Sequence, residues 1–379
     1  MNLFPMADVI PLPAPVWLFK TFHILLLGLH FVAIQLLIGG LVISTYWVVR
    51  GGRRADGGMR EAGRQVLKTL PVVTTYLINL GVPPLLFAQV LFGHALYSAS
   101  VMVGAWWIGV IFWLLSLYYL LYVATGRGET GRDWWKVTAS ALAMVMVVAF
   151  TFSTVMTLML RPEAWADMYR QSAGGVYLPQ GDPTTVPRWL YMLSGGLTLG
   201  GLGVVALGSM KRQTLDLRTL MFRDGAVLIV VGALLQTLFA NLAWTSQPTL
   251  VHDALASGTA YSPLRAVWLL NALAILGFGA WIVAGGRGLV ERWGRKASVL
   301  GWIASLLGVS LTLVYAAFRD GVRDKTMLVK GFDVTQLPVH INWSVLIAFL
   351  AMVAATLVSV GWLTALVVTN QPQVEAENE

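Results

Sequence analysis

Histidine is the side chain best suited to hold haem iron or to move a proton near neutral pH. The 379-residue chain has five histidines and no cysteine. Two of them, His23 and His30, share the segment Phe22-His23-Ile24-Leu25-Leu26-Leu27-Gly28-Leu29-His30. A spacing of seven is two helical turns, which puts both on one face about 10 Å apart. At that separation they cannot grip one iron from opposite sides. Each can serve its own haem, or one can ligate while the other bonds a propionate or a backbone carbonyl. Packing as a satisfied polar residue between helices accounts for either one as well. His94, in Phe92-Gly93-His94, follows the second apolar run and lies within reach of the outer end of the first. His252 reads as a solvated loop residue and His340 as the opening of a last span. A methionine beside a histidine can complete a haem site, although 14 methionines in so apolar a chain read chiefly as filler. The lack of cysteine removes disulfides, thiolate zinc, iron–sulfur clusters and covalent c-type haem, so such centres would belong to partners.

These histidines are placed by membrane helices. The chain is 57% hydrophobic and only 12% charged, with a mean hydropathy of +0.71, where a soluble domain carries about a quarter charged residues. A soluble enzyme is therefore excluded. Runs of about 20 apolar residues cross a bilayer, and nine are expected: 16–49, 69–93, 104–125, 136–160, 188–210, 221–245, 265–285, 297–317 and 340–368. No strand-like alternation competes, which predicts an all-α, polytopic membrane protein. One membrane domain over 1–379 is expected, built as four-helix bundles at 16–160 and 188–317 with a peripheral ninth helix at 340–368. The first run lacks a basic leader and a small-residue cleavage site, so it reads as a retained span.

Charge predicts the orientation. Arg50, Arg53, Arg54, Arg60, Arg64 and Lys68 follow the first span, and alternate loops add Arg127, Arg132, Lys136, Lys211, Arg212, Arg218, Arg223, Arg287, Arg292, Arg295 and Lys296. That is seventeen basic residues against eight on the other side, which places the N-terminus outside and the Glu375–Glu379 tail inside. The net charge of +8 is explained by this bias, and nucleic acid is not expected as a partner. The longer loops 161–187 and 318–339 are then extracytoplasmic, either as plain connections or as a small cap or docking surface. Trp106, Trp107, Trp134, Trp135, Trp189 and Trp343 fall near span ends, as interfacial anchors do. All 18 acidic residues fall in loops or at helix starts by this reading. Absence of deep carboxylates argues against proton pumping, because buried ionisable groups normally serve that function.

The segment His30-Phe31-Val32-Ala33-Ile34-Gln35-Leu36-Leu37-Ile38-Gly39, together with Gly81-Val82, Phe92-Gly93 and Val103-Gly104, resembles the large subunit (subunit I) of cytochrome bd quinol oxidase, most clearly over residues 15–105. The resemblance implies nine spans with an outside N-terminus and His30 as a haem ligand. It also implies that Lys20 stands where the family has an arginine near haem propionates. The departures from the family are equally specific. Gln89 replaces a glutamate of the oxygen-reducing haem pair, Tyr191 the ligand of the low-spin b haem, and Val267 its methionine partner, while an acidic ligand is lost near Ser310. The outer quinol loop shrinks to about 246–264.

The resemblance implies a membrane subunit of a respiratory electron-transfer complex, an oxidoreductase subunit rather than a complete oxidase. It would sit in a bacterial inner membrane beside other redox subunits such as c-type cytochromes. One haem b or none is expected, with His30 as the metal ligand, His23 and His94 as secondary candidates, Lys20 near a propionate, and quinone as a further cofactor. The alternatives are a haem-free anchor for redox subunits and, with only the helix count behind it, a transporter.

Overall fold

The computed structural model describes residues 3–4, 10–178, 181–210, 213–257 and 261–369, with the side chains of 287, 356–357, 360–361 and 363–369 excepted. Asp8, Lys211, Arg212 and the Glu375–Glu379 tail lie outside the described residues, as does the side chain of Arg287. Among the described residues, eleven α-helices follow in order: α1 (Val16–Arg54), α2 (Gly57–Met102), α3 (Gly104–Glu129), α4 (Trp135–Leu158), α5 (Trp165–Gln171), α6 (Thr185–Gly208), α7 (Leu215–Thr245), α8 (Thr249–Ala256), α9 (Tyr261–Trp293), α10 (Arg295–Val329) and α11 (Trp343–Thr369). Among the described residues the extended pairing is one isolated parallel bridge between Leu12 and Val339. Eight helices, α1–α4, α6, α7, α9 and α10, are long and apolar enough to cross a membrane. The chain is an all-α, polytopic membrane protein.

Several helices outrun their apolar cores. Hydropathy marks only the part that lipid surrounds, whereas a helix continues wherever its backbone stays bonded. α2 runs 46 residues through Pro71, Pro83 and Pro84 and bends at Phe92, whose φ is −133°. His94 therefore lies inside this helix, beyond the bend. α10 runs to Val329, so residues 318–329, expected as loop, are helical. This corrects the placement of two carboxylates. Asp320 is 4% exposed and stands within a membrane helix about 14 Å from its end, with Asp324 about 8 Å from that end.

The helix ends sort onto two faces. On one, Arg60 pairs with Asp133 at 2.8 Å and Lys68 with Glu129 at 3.3 Å. Gln213 donates to Gln65 at 2.7 Å on the same face. This is the basic face. On the other, Lys330 Nζ bonds Glu163 at 2.9 Å and the Leu160 carbonyl at 2.6 Å, while Phe4 packs against Trp165 and Phe332. The segments 161–178 and 328–337 thus close as a small cap, within which Thr335 donates to Asp333 and holds that carboxyl below its usual range.

The centre rests on α1 against α6. A Cβ at Gly39 would lie 2.4 Å from Gly200 Cα and 2.2 Å from Gly196 O, so the two backbones touch directly, as small residues allow in membranes. Trp134 is a core residue rather than an interfacial anchor: it is 2% exposed and donates to Ser44 at 3.0 Å. Trp47, fully buried, likewise donates to Asp224 at 2.7 Å.

Candidate functional site

His23 and His30 both point from α1 onto α2, and hydrogen bonding makes them unequal. His23 Nδ1 bonds the Pro84 carbonyl at 2.9 Å, and a carbonyl only accepts, so Nδ1 carries the proton. Its Nε2 lone pair then accepts from Arg323 Nη1 at 3.0 Å. Both nitrogens are spent and the ring is buried at 3% exposure. His23 has no donor left for iron.

His30 differs. Its Nδ1 donates to the Leu77 carbonyl at 2.8 Å, and Nε2 has no hydrogen-bond partner among the described residues. A backbone carbonyl on Nδ1 is the usual support for a metal-bound imidazole, since it fixes the tautomer and leaves Nε2 as ligand. Gly81 permits the arrangement: a Cβ there would meet His30 Cε1 at 2.7 Å and Nδ1 at 2.8 Å. His30 therefore keeps one ring nitrogen without a hydrogen-bond partner among the described residues.

His94 is exposed and about 20 Å of α2 separates it from the Leu77–Gly81 turn that holds His30. The structure does not bring it to the other histidines. His252 is not simply solvated: its ring stacks on Trp244 at 4.4 Å and Nε2 bonds the Trp244 carbonyl at 2.7 Å. Among the described residues no cluster of three or more histidines or carboxylates is arranged to hold a metal ion.

Lys20 is occupied by protein. Its ammonium pairs with Asp320 at 2.6 Å and with Asp324. Arg323 pairs with Asp320 and lies 4.1 Å over the Phe92 ring. Two cations and two carboxylates thus form a neutral cluster that ties the start of α1 to α10. Its charges offset one another where an isolated one would be costly. Residues 300 apart in the chain make this cluster, and no local spacing reveals it.

At position 191 the groups present do not fit a haem. Tyr191 is 1% exposed, its ring stacks on Tyr315 at 4.1 Å, and its hydroxyl accepts from Trp268 at 3.0 Å. Tyr315 covers one face of the ring, and Tyr191, Trp268 and Tyr315 also line a cavity between α6, α7, α9 and α10. Val267 is 42% exposed and offers no donor. Ser310 accepts from Asn271 at 2.9 Å, and Gln89 is exposed. The interior between α1, α6 and α10 is held by Gln35, fully buried, which accepts from Thr312 at 3.1 Å.

No family model matches the sequence, and no curated protein matches it. Among solved structures, bd oxidase from Geobacillus thermodenitrificans aligns over 96% of this chain and 100% of its own, with a TM-score of 0.71 and 10% sequence identity. The likeness is one of fold, carried by helix order and packing.

Proposed function

We propose that the chain is a membrane subunit of a respiratory electron-transfer complex, with at most one b-type haem, held by His30. The supporting observation is His30 itself: Nδ1 tied to Leu77, Nε2 free, and Gly81 cleared of a side chain beside the ring. A b-type haem supplies a one-electron carrier. His30 would ligate its iron, and the Leu77 carbonyl would hold the imidazole in the competent tautomer. His23 and Lys20 belong instead to the cluster that fastens α1 to α10, and His94 has no part in the site. Three-haem oxygen reduction is not proposed, because Gln89, Tyr191 and Val267 supply none of the ligands it needs. Quinol or a partner cytochrome outside the membrane would exchange electrons with the haem.

A bacterial inner membrane, N-terminus outside, a ninth span at 340–368 and bundles at 16–160 and 188–317 belong to the same proposal. Their support is the positive-inside bias and the fold shared with bd oxidase. A second reading, a haem-free anchor for redox subunits, is favoured by the phenol at position 191, whose ring stacks on Tyr315 and whose hydroxyl is held by Trp268.

A pyridine haemochrome spectrum of the chain purified with its native partners separates the two. A b-type signal that vanishes in His30→Ala supports the haem-bearing subunit. No signal from a folded wild-type chain supports the anchor. A signal that survives in His30→Ala refutes the ligand assignment.

A further inference from the structure

Between α6, α7, α9 and α10, near the ends away from the basic face, lies a cavity of about 240 Å³. Arg188, Arg265 and Arg319 reach its wall and no carboxylate does. Among the described residues none of these arginines has an acidic partner within ion-pair distance. Arg188 donates to the Thr184 carbonyl at 3.2 Å and to Thr157. Arg265 lies 5.0 Å over the Trp244 ring. Arg319 lies 5.5 Å over Phe31 and makes no hydrogen bond among the described residues. Three guanidiniums around one space repel each other, and cations are expensive in a membrane unless something compensates them. An anion does so, and the planar donor fork of arginine suits phosphate.

The rest of the wall identifies the kind of anion. Trp244, Trp268, Tyr315 and Leu269 make it aromatic and aliphatic. Of its wall residues, Asn241 on α7 and Arg265 and Leu269 on α9 are exposed. Leu238 and Leu270 beside them are 50% and 65% exposed. Arg188 stands three residues inside α6, Arg265 four inside α9, and Trp244 one from the end of α7, within about 6 Å of the helix ends, while Arg319 lies about 15 Å inside α10, whose last turns run on into the cap. Two cations near helix ends, a third deeper in the wall, and apolar lining exposed on the lipid side together suit an amphiphile.

We propose that this cavity binds an anionic phospholipid, its headgroup phosphate held by Arg188, Arg265 and Arg319 and an acyl chain lying against Trp268 and Leu269. His30 is not part of the cavity wall.

The delipidated full chain in detergent is titrated with brominated phosphatidylglycerol and with brominated phosphatidylcholine, reading quenching of tryptophan fluorescence, to which Trp244 and Trp268 contribute from the cavity wall. Phosphatidylglycerol is expected to bind about tenfold more tightly, the factor that about 1.4 kcal/mol produces. Arg319→Gln and Arg265→Gln are each expected to erase most of that preference. Arg265 is exposed and without an ion pair, so its variant folds even where Arg319→Gln does not, while Lys136→Gln on the basic face should leave the preference intact. Equal affinity for the two lipids overturns the proposal, as does a preference unchanged in Arg265→Gln. Displacement of the lipid by millimolar inorganic phosphate alone overturns it too, because the site would then take free phosphate.

Discussion

Asp320 stands between Lys20 and Arg323 and is the anion both cations need. Removing a partner from a buried cluster leaves uncompensated charge, typically at a cost of about 3–5 kcal/mol. Asp320→Asn is therefore expected to lower the unfolding temperature of the detergent-solubilised chain markedly, and an unchanged melting profile would remove the cluster from its fastening role. His30 stood out in the sequence as a candidate because its neighbours repeat a recognisable spacing along one helix. The separate roles of His23 and His30 were not legible. They follow from which carbonyl or guanidinium meets each ring nitrogen, and those groups come from α2 and α10. Lys20 was misread for the same reason, since its partners lie about 300 residues away. Arg188 with Tyr191 and Tyr315 with Arg319 stand three and four apart, a spacing that shares a helix face. That spacing was the available signal for the arginine cavity, masked by assigning Arg319 to a loop.

Helices α1 and α6 meet backbone to backbone at Gly39 and Gly200. A methyl group there has no flexible side chain to displace, and overpacking a tight site costs about 1–3 kcal/mol. Gly39→Ala should reduce thermal stability, whereas Gly57→Ala, where a Cβ meets nothing within 4 Å, should be close to neutral. Equal effects of the two would contradict the direct α1–α6 contact. At this scale the sequence was most informative about where helices lie and least about where they end. Apolar runs located the membrane-crossing segments, but α2 and α10 extend past theirs. Their outer turns are solvated or packed into the cap, and lipid no longer dictates composition there. The α8 helix, and its stacking of His252 on Trp244, escaped notice because eight residues are too few for a clear periodic signal.

The whole molecule shares the fold of a bd oxidase, with Gln89, Tyr191 and Val267 where the sequence resemblance leads one to expect haem ligands. Orientation is testable directly, because the chain has no native cysteine and an introduced one reports alone. In intact cells, Tyr177→Cys on the cap side should react with an impermeant maleimide. Arg132→Cys on the basic face should react only after permeabilisation, and the opposite pattern would invert the topology. The central claim is that this fold is retained with no more than one haem site, at His30. Haem content per chain, measured by pyridine haemochrome on the complex purified with its partners, tests it most directly. The expected result is b-type haem at no more than one per chain, absent from His30→Ala, and two or more haems per chain, or a haem that persists without His30, would contradict it.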